Sequence, residues 1–358
     1  MKYHPINPLV LQLKSEDKME LNWQTKGIVL TAPLTDEIDV VEKFIREYLN
    51  VNGFNMIVLQ TRYRYQFKSH PEIRGYDPLS YEDVKRLVTV CKENGIVLVP
   101  KMNLIGHQSG LHNTPTDGII HGHNNVSSDI KDGLLEAYPE FDEQKEQDAI
   151  HYARSICLSN EEALKVLFDL IDELMEVFES DKIHIGCDEG FNMGLCEKCS
   201  KVPKYQLIAN WVNKINEHVK VRGGEIYMWG DRLLSTHETG YNEWEASNTK
   251  TEKARTLLSK DIVICDWHYD MKNKYPSVDI FGENGFEIMI SPWREKENSI
   301  SFINYAKTHD KGHIRGLLTT TWCGSGDLAK RILYGEKGKW EHTEQIANTI
   351  NDLFSAGK

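Results

Sequence analysis

Two neighbouring acids, Asp188 and Glu189, close a short apolar run, Lys182-Ile183-His184-Ile185-Gly186. Along a strand, adjacent side chains point to opposite faces. Where the strand ends and the chain turns, both can reach one cavity. Two carboxyls held close push each other's pKa values apart, so that one keeps its proton while the other stays ionised. Glycoside cleavage needs that division of labour. The chain carries 54 acidic residues, so a solvated Asp-Glu pair is the plain alternative. What tells against it is position: comparable polar and aromatic residues follow the other apolar runs. Gln60, Arg62, Tyr63 and Arg64 follow the second run, and Lys101, Asn103 and His107 the third. Trp229, Asp231 and Arg232 follow the fifth, Asp266, Trp267, His268 and Tyr269 the sixth, Trp293 and Arg294 the seventh, and Trp322 and Asp327 the eighth. Four of the eight tryptophans thus stand at equivalent places in successive units. Aromatic faces pack on the C–H faces of a sugar ring, while acids, amides and guanidinium groups bind its hydroxyls. Trp229, Trp267, Trp293, Trp322, Asp231, Asp266, Arg62 and Asn103 are therefore expected to bind a carbohydrate.

The runs that position these residues are short, apolar and rich in β-branched residues, and amphipathic stretches separate most of them. They are Gly27–Thr31, Phe54–Leu59, Ile96–Pro100, Lys182–Gly186, Glu225–Trp229, Ile262–Cys265, Glu287–Ile290 and Gly316–Thr320. Helices are predicted over 36–50, 81–93, 161–179, 205–221, 251–258, 300–308 and 343–354; the stretch 276–285 is too short to assign. Continuously apolar strands imply burial on both faces, as in a parallel sheet. Eight strands with intervening helices count out to a (β/α)₈ TIM barrel, whose chemistry sits at the C-terminal ends of its strands. A doubly wound open sheet is the alternative, but no Gly-rich dinucleotide fingerprint follows the first strand. Residues 1–26 are expected as an N-terminal arm and 27–358 as one catalytic barrel, with a long insertion after strand three.

Composition narrows the partners. A formal net charge of −12 disfavours nucleic acid and anionic membranes. No apolar run approaches the ~20 residues of a membrane span. Met1-Lys2-Tyr3-His4-Pro5 lacks the apolar core of a secretory signal, so a cytoplasmic location is expected. Seven cysteines, an odd and unevenly spread set, do not form a disulfide framework.

The run His184-Ile185-Gly186-Cys187-Asp188-Glu189 resembles the His-x-Gly-x-Asp-Glu motif of glycoside hydrolase family 20, the β-N-acetylhexosaminidases. The resemblance extends from about Gly27 to Trp322 and includes Gly106-His107 after strand three and the strand-end tryptophans. It implies a retaining, exo-acting hydrolase in which the substrate's 2-acetamido oxygen attacks the anomeric carbon, with no cofactor and a terminal amino sugar as substrate. On that reading Asp188 orients the acetamido group, Glu189 is the general acid and base, Tyr269 binds the acetamido oxygen and His107 supports the acid. The sequence also departs from the family. Lys26-Gly27 replaces the usual Arg-Gly of strand one, Lys101-Met102-Asn103 replaces Glu-x-Asp, and Trp322-Cys323-Gly324 replaces Trp-x-Glu. The acid pair is kept while the sugar-gripping set changes, which implies a divergent branch with altered glycan specificity.

Other classes compete with this reading. A barrel that binds glycans without cleaving them would account for the changed sugar-gripping residues, but not for the retained acid pair. His107, His112, His121 and His123 could serve a metal-dependent hydrolase, although their spacing matches no known ligand pattern; a polar lid is the simpler reading. Cys196 and Cys199, with Cys187 nearby, offer three ligands where zinc takes four, so no metal is expected.

Overall fold

The computed structural model describes residues 22–108, 133–143, 154–340 and 342–355. Eight parallel strands close in sequence order, β1 (Thr25–Thr31), β2 (Met56–Gln60), β3 (Val97–Lys101), β4 (Lys182–His184), β5 (Glu225–Trp229), β6 (Val263–Trp267), β7 (Ile288–Ser291) and β8 (Ile314–Thr319), with β8 pairing back onto β1. The expected (β/α)₈ barrel is the observed one. β1 already includes Thr25 and Lys26, so the boundary expected at residue 27 falls inside a strand.

Two-residue alternation sorts the strands into an inner and an outer layer. Val29, Met56, Val58, Val99, Tyr227, Trp229, Val263, Cys265, Trp267, Met289 and Leu318 fill the barrel interior. Their neighbours Ile28, Leu30, Ile57, Leu59, Ile226, Met228, Ile264 and Leu317 pack outward under the helices. Both faces are dry, which is why the strands read as unbroken apolar runs.

The main helices are α1 (Ile38–Phe44), α2 (Tyr81–Glu93), α3 (Glu161–Val177), α4 (Lys204–Val221), α5 (Pro276–Glu283), α6 (Lys296–His309), α7 (Ser325–Tyr334) and α8 (His342–Phe354). Local chemistry sets several boundaries. Ser80 and Asp83 form a reciprocal capping box at the start of α2. The Asn160 side chain accepts the amides of Glu162 and Ala163 at the start of α3.

Four expectations need correction. The helix predicted over 36–50 spans the expected stretch but is not uniform: it opens as a 3₁₀ turn, Thr35–Glu37, and its last turn widens into a π turn, Ile45–Leu49. At 251–258 there is only a 3₁₀ turn, Glu252–Thr256, held by Thr251 Oγ1 and Arg255 Nη1 on the carbonyls of Arg232 and Leu233. The unassigned stretch 276–285 carries α5, started by a proline in its first turn. And α7 was not predicted, because it opens on Ser325-Gly326-Asp327, which lacks an apolar period. Gly326 is required there: a Cβ would lie 2.2 Å from the Glu37 carboxyl carbon. Among the described residues no helix is long and apolar enough to cross a membrane.

The N-terminal end of the barrel is closed electrostatically. Arg315 of β8 donates to Glu225 at 2.7 Å and to the Tyr227 hydroxyl at 2.9 Å, and it pairs with Glu287 ahead of β7. Removing this half-buried guanidinium leaves the partly buried Glu225 and the buried Tyr227 hydroxyl without it, while the exposed Glu287 stays solvated. Arg315→Ala is expected to lower unfolding stability by on the order of 2–3 kcal/mol while leaving ligand binding at the opposite face intact. Denaturant titration beside a binding assay checks this; unchanged stability would remove Arg315 from the account.

Candidate active site

β4 is the shortest strand, and its early end builds the site. It pairs with β3 through one residue pair, Lys101 and His184. Beyond His184 the backbone turns left-handed at Gly186 (φ 66°) and Cys187 (φ 72°), and again at Glu189 (φ 48°). The His184 Nδ1 accepts the Gly186 N–H at 3.0 Å and fixes the start of that turn. Gly186 has no alternative, since a Cβ would lie 2.2 Å from Asn103 Oδ1. The turn brings both Asp188 and Glu189 to the same cavity. Arg62, His107 and Trp322 are also left-handed non-glycines at this rim, a clustering of backbone strain that marks functional sites.

The cavity, about 320 Å³, opens at the C-terminal ends of the strands. Its two sides differ in chemistry. β2, β3 and β4 and the segments that follow them contribute Gln60, Arg62, Lys101, Asn103, His107, Asp188 and Glu189; β5 to β8 and the segments that follow them contribute Trp229, Trp267, Tyr269, Trp293, Trp322 and Trp340. The aromatic side is continuous. Trp267, Tyr269, Trp293 and Trp340 succeed one another at centroid spacings of 4.8, 5.1 and 6.2 Å. Trp322 lies 5.8 Å from Trp229 and donates its indole N–H to the Tyr269 hydroxyl at 2.7 Å.

On the polar side a relay of donors ends on Asp188. Lys101 Nζ donates to Gln60 Oε1 (3.1 Å) and Asn103 Oδ1 (2.7 Å), and this aims the Asn103 amide at Asp188 Oδ1 (3.0 Å). His107 Nε2 lies 3.2 Å from Asp188 and 3.4 Å from Glu189. Burial alone would raise the pKa of Asp188, but the charges of His107 and Lys101 outweigh it and hold the carboxyl well below its usual range. Burial likewise opposes the His107 charge, and the two carboxylates prevail, raising its pKa to about 9. Burial lowers Lys101 to about 8, against the pull of Asp188.

Of the residues expected from sequence, Asp188, Glu189, Tyr269, His107, Arg62, Asn103, Trp229, Trp267, Trp293 and Trp322 line this cavity, and Asp231 and Asp266 do not. Asp231 lies beneath it, accepting the Glu189 amide at 2.9 Å, the Arg232 Nε at 2.7 Å and the Trp267 indole at 3.3 Å. Burial raises its pKa to about 6, against Arg232. Its contact with the Glu189 amide holds that residue's backbone from beneath the cavity. Asp266 faces outward because its strand neighbours Cys265 and Trp267 face inward; it binds His268 and Ser277 under α5. Lys26, compared above with a sugar-gripping arginine, is at the far end of β1, over Phe54 and Phe354. Cys187 stays in the turn, with its thiol on the Ile185 carbonyl, apart from Cys196 and Cys199. His112, His121 and His123 lie outside the described residues. Sequence reasoning noted Gln60 and Lys101 without assigning them to the site, although a lysine closing an apolar barrel strand was the available signal. Trp340 lies 18 positions after Trp322, and nothing in its surroundings announces it.

The profile of glycosyl hydrolase family 20, catalytic domain, matches residues 14–327. Lacto-N-biosidase of Bifidobacterium bifidum is 22% identical over 259 residues, 69% of this chain and 20% of that protein. Among solved structures, a β-N-acetylhexosaminidase from Bacteroides fragilis superposes with a TM-score of 0.63 at 14% identity, over 94% of this chain and 67% of the other. A chitobiase from Flavobacterium johnsoniae gives 0.60 at 18% identity, over 94% and 48%. The chain thus spans about a fifth of the lacto-N-biosidase and about half of the chitobiase.

The His107 contacts have a pH signature. The imidazole titrates near 6.5 in an unfolded chain and at about 9 here. Its stabilisation is therefore fully present below about pH 6.5 and is lost as pH rises through about 9. The stability difference between the native chain and His107→Gln, measured from pH 6 to 10, is expected to shrink by on the order of 3 kcal/mol. The opposite trend from Lys101 is common to both proteins. A difference independent of pH would mean that the carboxylates do not hold the imidazole charged.

Proposed function

The chain belongs to glycosyl hydrolase family 20, and from that premise we propose that it is a retaining exo-glycosidase acting on N-acetylhexosamine-containing glycans, with the substrate's own 2-acetamido oxygen as nucleophile. The observation that carries this reading is the pairing of the acids. Asp188 and Glu189 are the carboxylates lining the cavity among the described residues, both are within 3.4 Å of one imidazole nitrogen, and the aromatic wall completes the cavity.

The environment of Asp188 argues against its being a nucleophile. One oxygen accepts from Asn103 and the other sits against His107, and its charge is strongly stabilised, which makes it a poor attacking group. It suits a fixed anion that accepts the acetamido N–H and favours positive character on that nitrogen as the ring closes. The acetamido oxygen bonds to the anomeric carbon as the C–O bond to the leaving group breaks. Glu189 gives its proton to the departing oxygen, then takes one from the water that opens the cyclic intermediate. Two inversions at one carbon retain its configuration. Tyr269 binds the acetamido oxygen and is held in place by Trp322. A cavity of about 320 Å³ is at the small end of ligand sites, in keeping with a single terminal sugar. Lys101 and Asn103 stand on the polar side where the family resemblance implies Glu-x-Asp, and Arg62 lies beside them, so the sugar's outer oxygens meet donors. This favours a glycan specificity of its own within the family.

Glu189→Gln is expected to cut kcat/KM by about 10³-fold for glycosides with poor leaving groups, with activated aryl glycosides much less affected. Equal losses on both would deny Glu189 the acid role. In a panel of aryl glycosides, turnover is expected only with a 2-acetamido group, and an acetamido-derived thiazoline should inhibit competitively. Turnover of 2-hydroxy sugars without such inhibition would overturn substrate assistance. Binding without turnover across the panel would indicate a glycan-binding barrel.

A further inference from the structure

We propose that Glu143, Cys157, Cys196 and Cys199 form a structural zinc site that staples the β3–α3 connection to the loop after β4. One ligand atom from each of the four lies within 4.8 Å of every other. Sequence spacing suggests Cys187 as the partner of the Cys-x-x-Cys pair; the fold supplies Cys157 instead, 39 positions before Cys196.

The sulfur geometry separates the chemical possibilities. Cys157 Sγ lies 3.5 Å from Cys196 Sγ and 3.6 Å from Cys199 Sγ. A tetrahedral zinc with Zn–S bonds of about 2.3 Å holds its sulfurs about 3.8 Å apart, whereas a disulfide holds them about 2 Å apart. The surrounding donors suit thiolates. The Cys199 amide donates to Cys196 Sγ at 3.3 Å, and the Cys199 thiol donates to the Ser159 hydroxyl oxygen at 3.2 Å, a contact in which the hydroxyl becomes the donor once the sulfur is ionised.

Glu143 provides an independent observation. The residue is only 3% exposed. Oε1 accepts the amides of Leu195 and Cys196 at 2.6 and 3.0 Å, while Oε2 is buried with no hydrogen-bond partner among the described residues. A buried carboxylate oxygen without a partner is costly, and a cation bound by the three sulfurs supplies one. Three thiolates and a carboxylate select zinc over calcium or magnesium, which take oxygen ligands. Four protein ligands make the site closed, hence structural and not catalytic.

The position of the site gives it a task. Cys157 belongs to a strand-like segment bridged to Asp142, with Glu143 N bonded to Ser155 O and Cys157 N to Phe141 O. The same segment pairs with the stretch that carries His107, through Ile156 N to Ile105 O and Gln108 N to Arg154 O. Cys196 follows Glu189 by seven positions. The metal thus lashes together the two loops that present His107 and the acid pair.

The test is metal content, which is read without any glycoside and so stands apart from the hydrolytic reading. The full chain, expressed with added zinc and purified without chelators, is expected to hold about one zinc by mass spectrometry of the elements. A Cys157→Ser, Cys199→Ser double variant is expected to hold less than a tenth of that. Chelator treatment should lower the Tm of the native chain by several degrees and leave that of the variant unchanged. Should the double variant fail to fold, Glu143→Gln keeps the three sulfurs and is expected to bind zinc at least about tenfold more weakly in competition with a chromogenic chelator. A zinc-free native chain with reactive thiols, an intact mass two daltons low from a disulfide, or equal zinc in native and variant chains would each overturn the proposal.

Discussion

The arrangement depends on a reversal of backbone handedness at the end of β4. Successive residues of an extended strand cannot both point into a barrel, so Asp188 and Glu189 could not share a cavity had the strand continued. Gly186 and Cys187 leave the strand with positive φ, and the His184 ring holds the turn from within. That turn is strained in a chain of L-residues, and it persists because its surroundings over-determine it. Asn103 fills the space beside Gly186, Asp231 holds the Glu189 amide, and the β5 backbone takes over the hydrogen bonding through Trp229 N to Gly186 O.

The charges around this turn are arranged for asymmetry between two chemically similar groups. Asp188 takes the Asn103 amide and the pull of Lys101, with His107 close by, and stays ionised. Glu189 is 3.4 Å from the same imidazole nitrogen and gets its support through its backbone. The barrel extends this division to the whole cavity, with ionisable and amide side chains on the β2–β4 arc and indoles on the β5–β8 arc. A sugar ring, polar at its edge and apolar across its C–H faces, is complementary to such a cavity.

Much of this was legible in the sequence because the features are local or periodic. The eight apolar runs, the acid pair after the fourth and the tryptophans after the fifth to eighth all follow from spacing. What failed depended on facing and on long-range approach. Asp266 and Trp267 close the same apolar run, and a strand end misjudged by one position exchanges inside for outside. Asp231 was placed correctly along the chain, yet its oxygens were already committed to Glu189, Arg232 and Trp267, which no pattern reveals. Trp340 enters from beyond α7, and α7 itself was hidden by the small residues that Glu37 requires at its start. Cys157 joins Cys196 and Cys199 only once the long connection after β3 folds back.

The clustering of indoles has an optical consequence. Trp229, Trp267, Trp293, Trp322 and Trp340 share one cavity, which leaves only three of the eight tryptophans elsewhere. Intrinsic emission from this chain is therefore weighted toward the cavity, and a molecule displacing water there alters the polarity and quenching around most of its fluorophores. Occupancy can be followed from the unlabelled protein, with slow or uncleaved glycans as readily as with chromogenic ones.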